Sequence, residues 1–214
     1  MRDIPLFSTQ NGVASLILKK IPFSGEAYVH IRDSLDCRAL MKECLDVCRM
    51  AGASAVYAAG HVDLEDYPLF CDVLRMCARK DNLDTTDAVA LPVTLEQKEQ
   101  WRQLYNQKMA CVPSASPLSR SDVEALICAG KAFYIYRQCS AVGIGVAYDG
   151  QIHAVASLCP GGGRHAVLAL AERIVNAEIT LCVASTNRKA IALYKALGFA
   201  VTEKEASWFK FFEC

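Results

Sequence analysis

The sequence lacks several features that would point to a particular class of binding protein. Lys and Arg together number 23, as do Asp and Glu, so no basic excess indicates a nucleic-acid partner. None of the 11 cysteines forms a C-x-x-C pair, which argues against zinc spacing and predicts no metal site. We expect the cysteines to pack in the core as small apolar side chains.

A long hydrophobic run is also missing. The N-terminus, Met1 to Pro5, does not resemble a signal peptide, and no later stretch is apolar for long enough to span a membrane. The sequence therefore predicts no membrane partner and, by default, a cytoplasmic location. Its 214 residues suffice for one large domain or for two small ones.

Hydrophobic periodicity predicts alternating strands and helices in the first half of the chain. Cys44 and Cys48 fall on the apolar face of one of these helices. A polar stretch, Asp81–Thr86, has no apolar period and predicts a boundary between residues 1–86 and 87–214. The predicted elements are strands at Ser15–Leu18, Glu26–Arg32 and Ala53–Ala59, and helices at Arg38–Met50 and Leu64–Cys77.

The second half predicts an antiparallel meander followed by a crossover helix and closing strands. Asp149-Gly150 suits a type I′ hairpin turn, Ser121–Glu124 has the capping-box pattern, and Gly198 follows the last helix. The predicted strands are 88–93, 132–137, 141–148, 152–158, 178–183 and one or two after Gly198; the helices are 95–109, one from Ser121, 164–175 and 187–197; residues 111–120 form a loop. Both halves share a predicted helix–strand–helix order, which hints at two related units.

The predicted helix at 187–197 carries the most informative motif. Asn187 and Tyr194 are seven residues apart, about two helical turns, and Ala190 lies between them on the same side. The run from Asn187 to Phe199 reads N-x-x-A-x-x-L-Y-x-x-L-G-F. This motif closely resembles the C-terminal motif of the GNAT superfamily of N-acetyltransferases, and the resemblance covers about residues 87–212.

The resemblance implies a mixed α/β (α+β) fold, with a mostly antiparallel GNAT-type sheet flanked by helices. It implies acetyl-CoA as co-substrate, Tyr194 as the acid that protonates the departing thiolate, and Asn187 and Ala190 as residues lining the CoA channel. The first half is similar to a partial, degenerate GNAT unit that covers the catalytic sheet and helps to form the substrate cleft. A core role for Tyr194 is the structural alternative.

A glycine-rich turn lies between a predicted strand and a predicted helix. Glycines at a helix start let backbone N–H groups converge on a phosphate. GNAT proteins bind the CoA pyrophosphate on an R/Q-x-x-G-x-G/A loop, from which this turn departs at Gly161 and Arg164. The resemblance implies a thioester-polarising N–H near Leu158 or Cys159, and cofactor contacts from Leu158, Cys159, Gly161, Gly162, Gly163, Arg164, His165 and Ala166.

The strand 152–158 holds no carboxylate that would serve as a general base. His153 is its only titratable residue and has a suitable ordinary pKa, so it is the candidate base. A sheet histidine that faces away from the site is the alternative. His165 is more suitable as a phosphate contact than as a base.

The predicted function is transfer of an acetyl group from acetyl-CoA to a primary amine of a small molecule or peptide. A catalytically weak or inactive acyl-CoA-binding module is the first alternative, and an interaction protein without CoA affinity is the second. Trp208 and Phe209 in the closing strand belong either to the core or to the edge of a homodimer.

Overall fold

A computed structural model of the chain describes residues 2–60, 64, 66–110, 112–113 and 115–213. The predicted helix at 64–77 and the predicted loop at 111–120 lie partly outside these residues. The strands are β1 (Ile4–Thr9), β2 (Gly12–Ile17), β3 (Glu26–Ser34), β4 (Ala55–Gly60), β5 (Leu69–Arg79), β6 (Val89–Pro92), β7 (Ala132–Arg137), β8 (Ser140–Tyr148), β9 (Gln151–Ser157), β10 (Glu178–Ala184) and β11 (Ala200–Glu213). The helices are α1 (Ile21–Ser24), α2 (Cys37–Met50), α3 (Lys98–Met109), α4 (Arg120–Cys128), α5 (Gly162–Arg173) and α6 (Arg188–Ala196), with 3₁₀ turns at Lys80–Asn82 and Leu95–Gln97. The predicted mixed α/β class is confirmed.

The chain forms two compact units. The first contains the residues up to Val73, the segment 113–116 and the residues from Lys204 onward, and the second contains 74–112 and 117–203. The polar segment 81–86, where the sequence predicts a boundary, lies inside the second unit. Strands β5 and β11 contribute residues to both units.

In the first unit, β1, β2 and β3 form an antiparallel meander, and α2 then leads to β4, which runs parallel to β3. On β3, the side chains of Ala27, Val29 and Ile31 share one face of the strand and are fully buried. They pack in one core with α2, whose buried residues are Leu40, Met41, Cys44 and Cys48. Strand β11 pairs antiparallel with β4, and Phe209 packs against this core.

The second unit repeats this order. Strands β7, β8 and β9 form an antiparallel meander with β6 at its outer side, and α5 then leads to β10, which runs parallel to β9. Two glycines on β8 let α5 approach closely. A Cβ at Gly143 would lie 2.7 Å from the Ala166 Cβ, and one at Gly145 would lie 2.4 Å from a Leu170 methyl.

Local signals in the second half are confirmed. Asp149 and Gly150 have φ values of 48° and 78°, as a type I′ turn requires. Gly198 follows α6 with a φ of 96°. The last segment forms one long strand, β11. Its Trp208 is buried and packs edge-on against Tyr28 in the first unit, with ring centroids 5.1 Å apart.

Two secondary-structure predictions are wrong. The predicted helix at 64–77 is largely strand β5, in which buried Met76 and Ala78 alternate with the less buried Arg75 and Cys77. The predicted helix–strand–helix repeat fails with it, and the repeated order is meander, helix and parallel strand. The capping box of α4 lies two residues earlier than predicted, because Ser119 and Asp122 exchange its hydrogen bonds.

The prediction that the cysteines pack in the core holds only for part of the set. Cys44, Cys48 and Cys71 are buried, and burial raises the pKa of the Cys44 thiol to about 12. Four other cysteines are exposed: Cys128, Cys139, Cys159 and Cys182. Among the described residues, no cluster of metal-ligating side chains occurs, and no helix has the length and hydropathy of a membrane span.

Candidate functional site

Strands β9 and β10 separate soon after they begin. Their parallel pairing is limited to Thr180 with Gln151 and Leu181 with Ile152, although each strand has seven residues. Beyond Ile152, β9 stays paired with β8 on its other side as far as Ser157. One edge of β9 is therefore open over most of its length, and residues 154–158 are only half buried.

Backbone groups of β9 point into this opening. The Leu158 N–H donates to the Val142 carbonyl at 2.9 Å, which ties that residue to β8. Because successive backbone groups along a strand point to opposite sides, the amides of Val155 and Ser157 face away from β8. The Cys159 N–H has no acceptor among the described residues. Of the two predicted thioester-polarising donors, Leu158 is therefore engaged and Cys159 is available.

The glycine turn continues this row of donors into α5. Gly161 precedes the helix with a φ of 79°, a left-handed conformation that favours glycine, and no side chain caps the helix. A Cβ at Gly162 would lie 2.4 Å from the Val142 carbonyl oxygen, so this position also requires glycine. In the described part of the chain, the N–H groups of Gly161, Gly163 and Arg164 have no acceptor. This is the geometry that binds an anion at a helix N-terminus.

The side chains at the start of α5 contact residues 84–87, and the sequence did not predict these contacts. Arg164 forms an ion pair with Asp84, and His165 Nδ1 lies 2.9 Å from Thr86 Oγ1 and 3.7 Å from a carboxylate oxygen of Asp87. Arg137 donates to Asp87 at 2.8 Å and holds the pKa of that carboxyl below its usual range. The side chains of Arg164 and His165 thus face residues 84–87, while Ala166 is buried in the core.

Helix α6 lies beside the glycine turn. A Cβ on Gly163 would be 3.2 Å from a methyl group of Leu193, which fixes the two helices close together. Asn187 precedes α6 and caps it, because its Oδ1 accepts from the Ala190 N–H at 3.2 Å. The family motif thus has a local structural use in this chain: the Asn187 side chain holds the helix start, and Ala190 packs partly buried against the core.

Tyr194 is largely buried in α6. Only 8% of its surface is exposed, and its ring lies 6.1 Å from that of Phe199. Burial raises the pKa of Tyr194 to about 12, so the hydroxyl keeps its proton throughout the neutral range. No hydrogen-bond partner for this hydroxyl occurs within the described residues.

His153 lies at the opposite end of β9 from Cys159. It occupies a bulge beside the hairpin turn and stacks on Tyr148, with ring centroids 3.7 Å apart. Loss of water around the ring lowers the pKa of His153. His153 and Leu158 are five residue steps apart, roughly 16 Å of extended strand, so the structure does not bring His153 to the glycine turn.

The sequence and the structure were compared with those of known proteins. No protein-family model and no curated protein matches the sequence. The structure is similar to a GCN5-related N-acetyltransferase from Sphaerobacter thermophilus, with a TM-score of 0.57 and 13% identity over 93% of this chain and 76% of that one. It is also similar to a GNAT-family acetyltransferase from Colwellia psychrerythraea, with a TM-score of 0.52 and 13% identity over 96% and 84% of the chains.

A third similar structure is a GCN5-related N-acetyltransferase from Anabaena variabilis. Its TM-score is 0.58 at 10% identity, and the match covers 92% of this chain and 59% of that one. The chain therefore has the fold of the GNAT superfamily, as its C-terminal motif predicts. At these identities the likeness establishes the fold alone.

Proposed function

We propose that the chain is an acyl-CoA-dependent N-acyltransferase whose second unit binds the acyl donor. The observation that carries this proposal is the open edge of β9, which continues without interruption into the uncapped start of α5. Along this path the backbone offers outward amides at Val155 and Ser157, and then free N–H groups at Cys159, Gly161 and Gly163.

The chemistry of these groups suits acetyl-CoA. Strand amides can pair with the amides of a pantetheine arm, and N–H groups at a helix N-terminus favour a pyrophosphate. The bound co-substrate would supply an activated thioester. The Cys159 N–H, which follows the strand directly, is the donor that we assign to the thioester oxygen. A backbone donor in that role lowers the activation free energy by a few kcal/mol.

Tyr194 is the side chain that we assign as proton donor to the leaving sulfur. Its pKa of about 12 lies above the ordinary thiol value by about 3.5 units, equivalent to about 5 kcal/mol. Complete proton transfer before bond cleavage would therefore be unfavourable. We expect the hydroxyl to donate a hydrogen bond that strengthens as negative charge develops on sulfur.

The amine must be in its neutral form to attack the thioester carbonyl. Strand β9 contains no carboxylate, and its one histidine lies far from Cys159. We therefore expect the fraction of neutral amine in solution to limit the rate, so that kcat/KM rises with pH up to the pKa of the amine.

A binding module without turnover is the second candidate. It is favoured by the absence of a carboxylate or a nearby histidine on β9 and by the pairing of Arg164 with Asp84. Such a module would bind acyl-CoA at the same backbone groups and would release no thiol when amines are added.

The test is titration calorimetry with acetyl-CoA, combined with a pair of variants at one position. Arg164→Ala and Arg164→Pro both remove the guanidinium, but only proline also removes the backbone N–H. Proline is tolerated in the first helical turn, and the preceding residue is glycine. Since a hydrogen bond to a charged group contributes about 1.5–3 kcal/mol, Arg164→Pro should bind roughly 10- to 100-fold more weakly than Arg164→Ala.

Thermal melting provides the control for folding of both variants. Equal affinities in two folded variants would contradict the proposed phosphate site. Thiol release from acetyl-CoA, measured with a panel of primary amines, then separates the two candidates. Binding with turnover supports the acyltransferase, and binding without turnover of any amine supports the module.

A further inference from the structure

We infer that Asp84 competes with the phosphate groups of the acyl donor for Arg164 and thereby lowers the affinity of the site. This inference rests on the proposed function, because it concerns the same helix start. It assigns Asp84 as a residue that sets donor affinity, which neither the C-terminal motif nor the glycine turn indicates.

The ion pair joins one Nη of Arg164 to Oδ2 of Asp84. The side chains remain 41% and 66% exposed, respectively, so water reaches both groups. An exposed ion pair of this kind contributes little net stability, and an incoming anion can displace the carboxylate at small cost.

The segment that carries Asp84 is attached to α5 at a second point. Thr86 contacts His165, and the Thr86 hydroxyl also accepts from the Ala88 N–H at 3.2 Å. Asp87 is in turn held by Arg137. These contacts keep residues 84–87 beside the first turn of α5, so the Asp84 charge stays near the helix start even after Arg164 leaves it.

Arg164 has two groups that can bind an anion, its backbone N–H and its guanidinium. Its backbone N–H has no acceptor among the described residues, whereas its guanidinium is paired with a carboxylate. A phosphate on the free N–H groups would gain the guanidinium only by taking it from Asp84. It would also experience repulsion from that carboxylate, because like charges separated by a few ångströms interact unfavourably.

Asp84→Asn removes the charge and preserves the size of the side chain. We expect it to tighten binding of CoA and of inorganic pyrophosphate by roughly 5- to 10-fold. Pantetheine, which carries no phosphate, should bind both proteins equally. The gain should shrink in about 0.5 M salt, where exposed charges are screened.

Asp81→Asn is the matched control. Asp81 pairs with Arg79 instead of Arg164, and its substitution changes the net charge of the protein by the same amount. We expect it to leave the affinity for CoA and pyrophosphate unchanged. In an Arg164→Ala background, Asp84→Asn should produce a smaller gain, because no guanidinium remains to be released.

The outcomes of calorimetry separate this inference from the proposed function. Tighter pyrophosphate binding by Asp84→Asn supports the inference even if the chain turns over no amine. Equal affinity in the two proteins overturns it. Weaker binding by Asp84→Asn also overturns it and shows that Asp84 orients Arg164 toward the phosphate. Absence of pyrophosphate and CoA binding in every protein overturns both proposals.

Discussion

The two units of the chain repeat one topology but differ at the place where a ligand would bind. In each, an antiparallel meander leads into a helix and then into a strand parallel to the last strand of the meander. Strands β3 and β4 pair continuously from Glu26 with Ala55 to Ile31 with Gly60. Strands β9 and β10 pair only at their beginning. The first unit therefore has a closed sheet where the second has an open strand edge.

The helix starts differ in the same sense. In the first unit, Asp36 caps α2 by accepting from the Ala39 N–H at 3.0 Å, so a carboxylate of the chain itself occupies the positive end of the helix. In the second unit, glycines precede α5 and no side chain caps it. The two units thus differ in strand pairing and in one capping residue.

The largest expected effect comes from giving the second unit the cap of the first. Gly161→Asp places a carboxylate at the start of α5, where an added Cβ has open space. Repulsion of the pyrophosphate should weaken acetyl-CoA binding on the order of 100-fold. Gly161→Asn has the same size and the same backbone strain without the charge, and calorimetry should show a much smaller loss. An equal loss in both variants would mean that strain, and not charge, controls the site.

The next effect concerns Tyr194, which lies in the second unit. Tyr194→Phe removes the proton donor, and we expect kcat to fall by about 100-fold with little change in acetyl-CoA affinity. Steady-state kinetics alongside calorimetry would measure both. Unchanged kcat would show that Tyr194 is only a core residue.

Stability at alkaline pH tests the burial of Tyr194 independently of activity. Its folded-state pKa of about 12 exceeds the unfolded value near 10, so the stabilisation is complete below pH 10 and is lost as the pH rises toward 12. The wild type should lose up to about 3 kcal/mol more than Tyr194→Phe over this range. The buried cysteines titrate in both proteins and cancel in the comparison. If the difference in unfolding free energy between the wild type and Tyr194→Phe is the same at pH 9 and pH 12, the assigned burial of Tyr194 is contradicted.

A smaller effect should follow from removing the cap of the first unit. Asp36→Ala leaves the Ala39 N–H unpaired and should cost about 1 kcal/mol of unfolding free energy, or roughly 2–4 °C in Tm. Asp36→Asn should retain most of this stability. Neither change should affect acetyl-CoA binding, because β3 and β4 remain paired; altered affinity would place the donor site in the first unit.

We expect the smallest changes from substituting one tyrosine in each unit, Tyr134 in the second and Tyr28 in the first. The Tyr134 hydroxyl is buried without a hydrogen-bond partner among the described residues, whereas the Tyr28 hydroxyl donates to Glu26 at 3.0 Å. Tyr134→Phe should therefore raise the unfolding free energy by up to about 1 kcal/mol, and Tyr28→Phe should lower it by a similar amount. Differential scanning calorimetry decides the sign. A lower Tm for Tyr134→Phe would reveal a partner for its hydroxyl.

Much of the second unit could be predicted because its signals are local. The Asp149-Gly150 turn, the glycines before α5 and the motif from Asn187 to Phe199 each act within a few residues of the chain. Strand β5 could not be predicted in this way, because its residues fit a helical period almost as well as a strand. Its conformation depends on strands that are distant in the sequence.

The contacts around Arg164 were missed for the same reason. Arg164 and Asp84 are 80 residues apart, and His165 and Thr86 are separated by 79. The polar composition of the segment indicated only a boundary. The separation of β9 from β10 also cannot be read from the residue pattern of either strand. The capping role of Asn187 differs from the prediction because the helix begins one residue later, at Arg188.

Amide hydrogen exchange with and without acetyl-CoA can show whether the donor binds along β9 and the start of α5. We expect acetyl-CoA to slow exchange in peptides covering residues 153–164 of the second unit. Peptides covering 26–39, the equivalent part of the first unit, should be unaffected, because their strand edge is paired and their helix is capped. Protection of 26–39, or no protection of 153–164 at saturating acetyl-CoA, would contradict the account.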